Sequence, residues 1–105
     1  MLTRIMYIES KAGTLNGPAR IGRVRFSKSK RSYFYDGHEF LRTAGYKYNC
    51  IDIENREEYW ISGPRRDGQD RLYASNIPVD IDEDVREEYW TVIRRKPDLK
   101  DRKVT

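Results

Sequence analysis

The dipeptide Asp36-Gly37, set between SYFY (32–35) and HEFLR (38–42), constrains the fold of this chain more than any other feature. A two-residue type I′ hairpin needs φ > 0 at both central positions, which Asp-Gly tolerates, and the flanking aromatic runs suit paired strands. An antiparallel pair over 32–42 follows. Just upstream, RIGRVRFS (20–27) places Gly22, Val24 and Phe26 on one face and Arg23 and Arg25 on the other, the period of two of a half-buried strand. RIMYIE (4–9) is a first strand and SKAGTLNGPA a loop broken by Gly13, Asn16, Gly17 and Pro18. YKYNCIDI (46–53) alternates Tyr46, Tyr48 and Cys50 against Lys47, Asn49 and Ile51, the pattern of a central strand partly buried on both faces.

Two strings, IDIENREEYW (51–60) and IDEDVREEYW (81–90), agree at seven of ten positions. Their flanks assign them to different elements. The first follows a β run and a Glu54-Asn55 turn and precedes Gly63-Pro64, so EEYWIS is a returning strand. The second follows PVDID, where Asp80 or Asp82 can cap a helix and Asp82, Glu83 and Asp84 sit where the dipole favours negative charge. Val85, Tyr89 and Ile93 then recur at i, i+4 and i+8 with Trp90 alongside, before Arg94, Arg95, Lys96 and the terminating Pro97. That is a helix over about 82–95. A true repeat would keep its element type, and none is expected here.

With 37% hydrophobic and 36% charged residues among 105, the chain suits one small domain with a single thin core in which aromatic rings supply much of the buried area. Residues 1–96 form that domain, and PDLKDRKVT (97–105) has no apolar periodicity and reads as a flexible basic tail. One cysteine excludes an internal disulfide framework, and no run reaches the ~18 apolar residues of a membrane span or the form of a signal peptide. A cytoplasmic setting without membrane contact is expected. The fold class is mainly β (α+β), a small antiparallel sheet or SH3-like partly open barrel closed by one C-terminal helix.

Charge is segregated along the chain: residues 1–35 carry a net +7, residues 36–93 a net −7 and residues 94–105 a net +4. Arg20, Arg23, Arg25, Lys28, Lys30 and Arg31 lie in twelve residues without an acid, followed by Tyr33 and Tyr35. Cations on a sheet face follow phosphates, and rings beside them stack on unpaired bases. The loop GPRRDGQDRLY (63–73) adds Arg65, Arg66 and Arg71, an arrangement that takes phosphate or carboxylate. These eleven residues are the candidate polyanion-binding set. Their bland reading is a polar strand surface and a self-satisfied loop.

Other chemistries fail on inventory. Asp80, Asp82 and Asp84 imitate the start of a calcium loop, but Val85 stands where glycine is required and Thr91 where the bidentate glutamate belongs. His38 and Cys50 are single, which rules out zinc held by Cys/His sets and leaves a Cys–His dyad to tertiary accident. Neighbouring Glu57-Glu58 and Glu87-Glu88 diverge on either a strand or a helix, so they do not converge on a substrate. GxxxxGK[ST] is absent. No catalytic residue, metal or cofactor is assigned.

Taken together, GPARIGRVRFSKSKRSYFY, EEYWISGPRRDGQDRLY and IDEDVREEYW resemble a group of small uncharacterised bacterial proteins of about 100 residues, some of which carry the label deoxyxylulose-phosphate synthase. The resemblance implies a bacterial source and a compact module, and it brings no active-site residues. The label conflicts with the sequence, which lacks the GDG…N metal-diphosphate motif and the several domains of a thiamine-diphosphate enzyme. The expected function is a non-enzymatic binding module for nucleic acid or another polyanion. A protein-interaction module using exposed tyrosines and Trp60 is the alternative.

Overall fold

The computed structural model describes residues 2–14, 16–71, 73 and 76–105. Among the described residues seven strands form, β1 (Thr3–Ser10), β2 (Ala19–Phe26), β3 (Ser32–Tyr35), β4 (His38–Arg42), β5 (Cys50–Asp52), β6 (Glu58–Ser62) and β7 (Asp80–Ile81). The first six are antiparallel and close into a small SH3-like barrel, because β1 pairs with β2 along one edge and with β6 along the other. β7 adds in parallel to the start of β2, through Arg20↔Asp80 and Ile21↔Ile81. The β3–β4 hairpin has the expected register, Tyr35↔His38, with φ of 51° at Asp36 and 77° at Gly37. Asp-Gly thus makes the turn its sequence specifies.

Alternation along β1 and β2 builds two cores where a single one is expected from chain length. Met6, Ile8, Val24 and Phe26 face into the barrel, where they meet Tyr33, Phe40, Cys50 and Ile61. Ile5, Tyr7, Ala19 and Ile21 project from the other face, where Val79, Ile81, Val85, Tyr89 and Trp90 of the C-terminal segment cover them. Both faces of the same strand pair are therefore buried, and the β1 pattern is a continuous apolar run rather than an alternation. Edge-to-face rings fix the packing, Phe40–Tyr59 at 4.7 Å, Phe26–Tyr33 at 4.9 Å and Tyr89–Trp90 at 5.2 Å between centroids.

The two REEYW strings occupy different elements. In the first, Glu58, Tyr59 and Trp60 open β6, and alternation sends Tyr59 toward the barrel core and Trp60 toward the second core. Trp60 is only partly exposed, its indole Nε1–H donating to Ser62 Oγ at 3.1 Å, so it is not the free surface aromatic expected of it. The second string runs through a 3₁₀ turn (Glu83–Val85), one α turn (Arg86–Glu88) and a π turn (Tyr89–Ile93) without a break. Val85 and Tyr89 are fully buried and Ile93 partly, as the i, i+4, i+8 stripe requires. The π turn brings Trp90 under the second core, and Arg95, at φ 54°, ends the helix.

Three expectations are corrected. Asp82 occupies the N-cap position, yet its carboxylate makes no capping bond, because Arg20 and Tyr35 hold it; Asp80 belongs to β7. Residues 46–49 are not a strand. Asn49 instead donates its side-chain amide to Ile61 O and accepts from Ile61 N, both at 2.8 Å, imitating a backbone pair while Tyr46 stands 83% exposed. The segment 97–105 is not a loose tail: it turns through Pro97–Leu99 and runs beside β7, with Ile81 N donating to Lys103 O, Thr105 N to Val79 O, and Trp90 Nε1 to Arg102 O at 2.8 Å. Buried Trp90 and Ile81 need those carbonyls, a demand invisible in the segment's own composition. Deleting residues 97–105 is expected to cost about 2–4 kcal/mol from these three bonds, measured as a lowered denaturation midpoint, whereas removal of an undocked tail would leave the midpoint unchanged.

Candidate polyanion-binding surface

The basic strand and the acidic segment meet in the folded chain, and this decides which cations remain available. Asp82 lies where β2, β3 and β7 converge. Arg20 Nε donates to its Oδ1 at 2.6 Å and the Tyr35 hydroxyl to its Oδ2 at 2.5 Å. Gly22 makes room for this contact: a Cβ there would come within 2.5 Å of both Asp82 Oδ2 and Tyr35 Cε1. Burial, together with the bond to Asp82, pushes the Tyr35 phenol well above its ordinary range, so it stays a neutral donor. Arg23 Nη2 pairs with Glu88 Oε1 at 2.9 Å. Arg20 and Arg23 are thus charge-neutralised by the C-terminal segment.

Tyr33 and Tyr35 are not stacking rings. Tyr33 is 5% exposed in the barrel core and Tyr35 packs against it. Arg71 is likewise corrected. Expected to be displayed on a loop, it is buried, with Nη1 3.6 Å from Glu9 Oε2 and its donors spent on Gly17 O, Ile77 O and Pro78 O. Lys11 Nζ and the Tyr7 hydroxyl satisfy the rest of Glu9, at 2.8 and 2.5 Å. Glu9 is the only acid among residues 1–35, set in an apolar strand. That lone buried acid is the sequence signal for a buried cation partner. Arg65 folds onto Asp67 through two hydrogen bonds at 3.1 and 3.2 Å and donates its amide to Asp70 Oδ1, so this end of the loop satisfies itself. Leu72 of the same loop lies outside the described residues.

Exposed cations lie on β2, in the β2–β3 turn and along a groove beside Arg23. Arg25 lies exposed on β2 with its guanidinium carbon 4.4 Å from the Phe34 ring centroid. Lys28, Lys30 and Arg31 are exposed in the β2–β3 turn. Beside Arg23 a groove of about 530 Å³ runs between the start of β1, the 64–66 loop and the end of the helix. Four arginines line it, Arg4, Arg23, Arg66 and Arg95, against the single acid Glu88, with Pro64, Val92 and Ile93 as an apolar floor. Glu88 is committed to Arg23, and Arg66 and Arg95 form no ion pair among the described residues. Arg4 and Arg95 were not singled out from sequence, because only the fold brings the N-terminal strand beside the helix end. A second concavity, about 750 Å³, has the opposite character: Asp36, Asp82, Glu83 and Asp84 face two arginines that are already paired. It disfavours an anion.

The chain has no match among protein-family models, curated proteins or solved structures. Among the described residues, no helix is long and apolar enough to cross a membrane. Because Asp82 joins three strands through two bonds, Asp82→Ala is expected to destabilise the fold by about 2 kcal/mol in chemical denaturation, while Asp80→Ala, whose exposed contact to Arg20 is 3.8 Å, should cost under about 0.5 kcal/mol.

Proposed function

We propose that this protein is a non-enzymatic binding module that holds single-stranded nucleic acid along the Arg4–Arg66–Arg95 groove and the adjoining Arg25–Phe34 face. One observation carries the reading: the groove gathers four arginines against one glutamate, and that glutamate is already paired. Phosphates would neutralise the excess charge with release of counterions, and Phe34, partly exposed beneath Arg25, offers a ring edge for a base. A cytoplasmic setting, where the single thiol stays reduced, suits this role. Burial pushes the Cys50 thiol up to about 12 and its Sγ donates to Asn49 Oδ1, which argues against a nucleophile at neutral pH. It also sits opposite Arg42, four residues along β4 from His38, so the two do not form a dyad. The protein-interaction alternative loses its main anchor with Trp60 packed against the second core.

The test is fluorescence anisotropy with a mixed-sequence labelled single strand. With Arg4, Arg25, Arg66 and Arg95 as phosphate contacts, log Kobs should fall with log salt at a slope of about −3, and Arg66→Glu with Arg95→Glu should weaken binding at least about tenfold and flatten the slope. Arg56→Glu, the same charge change in the β5–β6 turn outside the groove, should do neither. Absence of any shift at about 50 mM salt, or equal losses from the groove pair and from Arg56→Glu, would overturn the reading.

A further inference from the structure

Apart from the basic surface, a polar cluster sits where β4 meets the end of β5. Asp52 ends β5 and is 1% exposed. The register Phe40↔Asp52 places it diagonal to His38, two residues before Phe40 on the same face of β4. Glu54 follows in the β5–β6 turn. The Glu54 amide donates to Asp52 Oδ1 at 2.9 Å and so locks the carboxylate in orientation. Its other oxygen, Oδ2, is buried with no hydrogen-bond donor. His38 Nδ1 lies 2.9 Å from that oxygen, an ion pair when the imidazole is protonated, and neither atom makes a hydrogen bond among the described residues. With Nδ1 unprotonated, its lone pair would face a buried carboxylate oxygen, and a proton or a cation between the two relieves that contact. A carboxylate oxygen of Glu54 completes the group, and one donor atom from each of the three residues lies within 4.8 Å of the others.

We propose that His38, Asp52 and Glu54 form a binding site for a divalent transition-metal ion, ligated by His38 Nδ1, Asp52 Oδ2 and a Glu54 oxygen, with solvent completing the coordination. Two carboxylates and a neutral imidazole match a dication in charge, and one nitrogen with two oxygens favours borderline ions such as Zn²⁺ over Mg²⁺. Tetrahedral zinc at about 2.0–2.2 Å from its ligands sets them roughly 3.4 Å apart, between the 2.9 Å pair and the 4.8 Å span, so small side-chain rotations suffice. The His38 side chain is 42% exposed and Glu54 is exposed, which leaves a route for the ion, while the Asp52 side is fixed. Phe40, with its ring centroid 6.2 Å from that of His38, supplies an apolar wall that strengthens the charge interactions. The site is independent of the polyanion-binding reading. No motif announces it in the sequence: His38 comes into reach through the Asp36-Gly37 turn and the β4–β5 register.

Untagged full-length protein, stripped with chelator, should bind one equivalent of Zn²⁺ in isothermal titration calorimetry, at least about tenfold more tightly than Mg²⁺. His38→Gln and Glu54→Gln, both at solvent-accessible positions that leave the core intact, should each weaken Zn²⁺ at least about tenfold. Co²⁺ should give visible absorption characteristic of low coordination number, and His38→Gln should remove it. Asp52→Asn should abolish binding, with circular dichroism confirming that the variant folds; if it does not fold, the two accessible variants decide the matter. No heat with Zn²⁺ at about 100 μM, or Zn²⁺ affinity unchanged by both His38→Gln and Glu54→Gln, would overturn the proposal.

Discussion

The ladder between β1 and β2 is the constraint from which the rest of the molecule follows. Seven residue pairs, Thr3↔Arg25 through Glu9↔Ala19, hold the two longest strands together, and both of their faces are buried. A chain this polar cannot fill two cores with separate elements, so one strand pair serves both. Its even-numbered side chains fill the barrel and its odd-numbered side chains the layer beneath the helix. The cost of this economy is that the second core has no sheet of its own. It must be covered by the C-terminal segment, and β7, the helix and residues 97–105 are tied down for that reason.

That arrangement also sorts the charges. Where the C-terminal segment crosses β2, its acids meet Arg20 and Arg23, and the field of the strand is cancelled locally. Beyond the crossing, Arg25 and the Lys28–Arg31 turn are exposed, and the helix end adds Arg95 beside Arg4 and Arg66. The formal charge of +4 is thus distributed as a neutralised zone, an acidic cleft and a basic groove on one small surface. Inside, the Glu9–Arg71–Lys11 group does different work, joining the far loop to β1 and giving the buried Gly17 carbonyl a donor.

Local signals were legible in the sequence, and long-range ones were not. Asp36-Gly37 placed the β3–β4 hairpin to the residue, and the Val85–Tyr89–Ile93 spacing placed the helix, because turn φ values and helical periodicity are set by neighbours in the chain. Residues 97–105 and Arg71 were misread because what orders them is a partner far away in sequence: the Trp90 indole for the first, Glu9 and three carbonyls for the second. Tyr46 and Tyr48 alternate as a strand would, yet Asn49 takes over the pairing with β6 through its side chain. Of the candidate site, Arg25, the β2–β3 turn and Arg66 were visible as charge. Arg4 and Arg95 were not, since a groove is a property of packing.

The two REEYW strings show the same division from another side. Adjacent tyrosine and tryptophan point to opposite faces of a strand and about 100° apart on a helix, so either element can bury both only if apolar surface lies in two directions. β6 meets that condition because the barrel core lies on one side of it and the helix-side core on the other, receiving Tyr59 and Trp60 respectively. The helix meets it by widening its last turns to π geometry, which lets Tyr89 and Trp90 enter one core together with their rings edge to face. The two tryptophans therefore end in the same hydrophobic layer by different routes, Trp60 from the sheet and Trp90 from the helix, while Tyr59 and Tyr89 enter different cores. What the likeness marks is a shared demand for aromatic burial, met on two sides by β6 and in one core by the helix, and the double-faced β1–β2 ladder backs both cores.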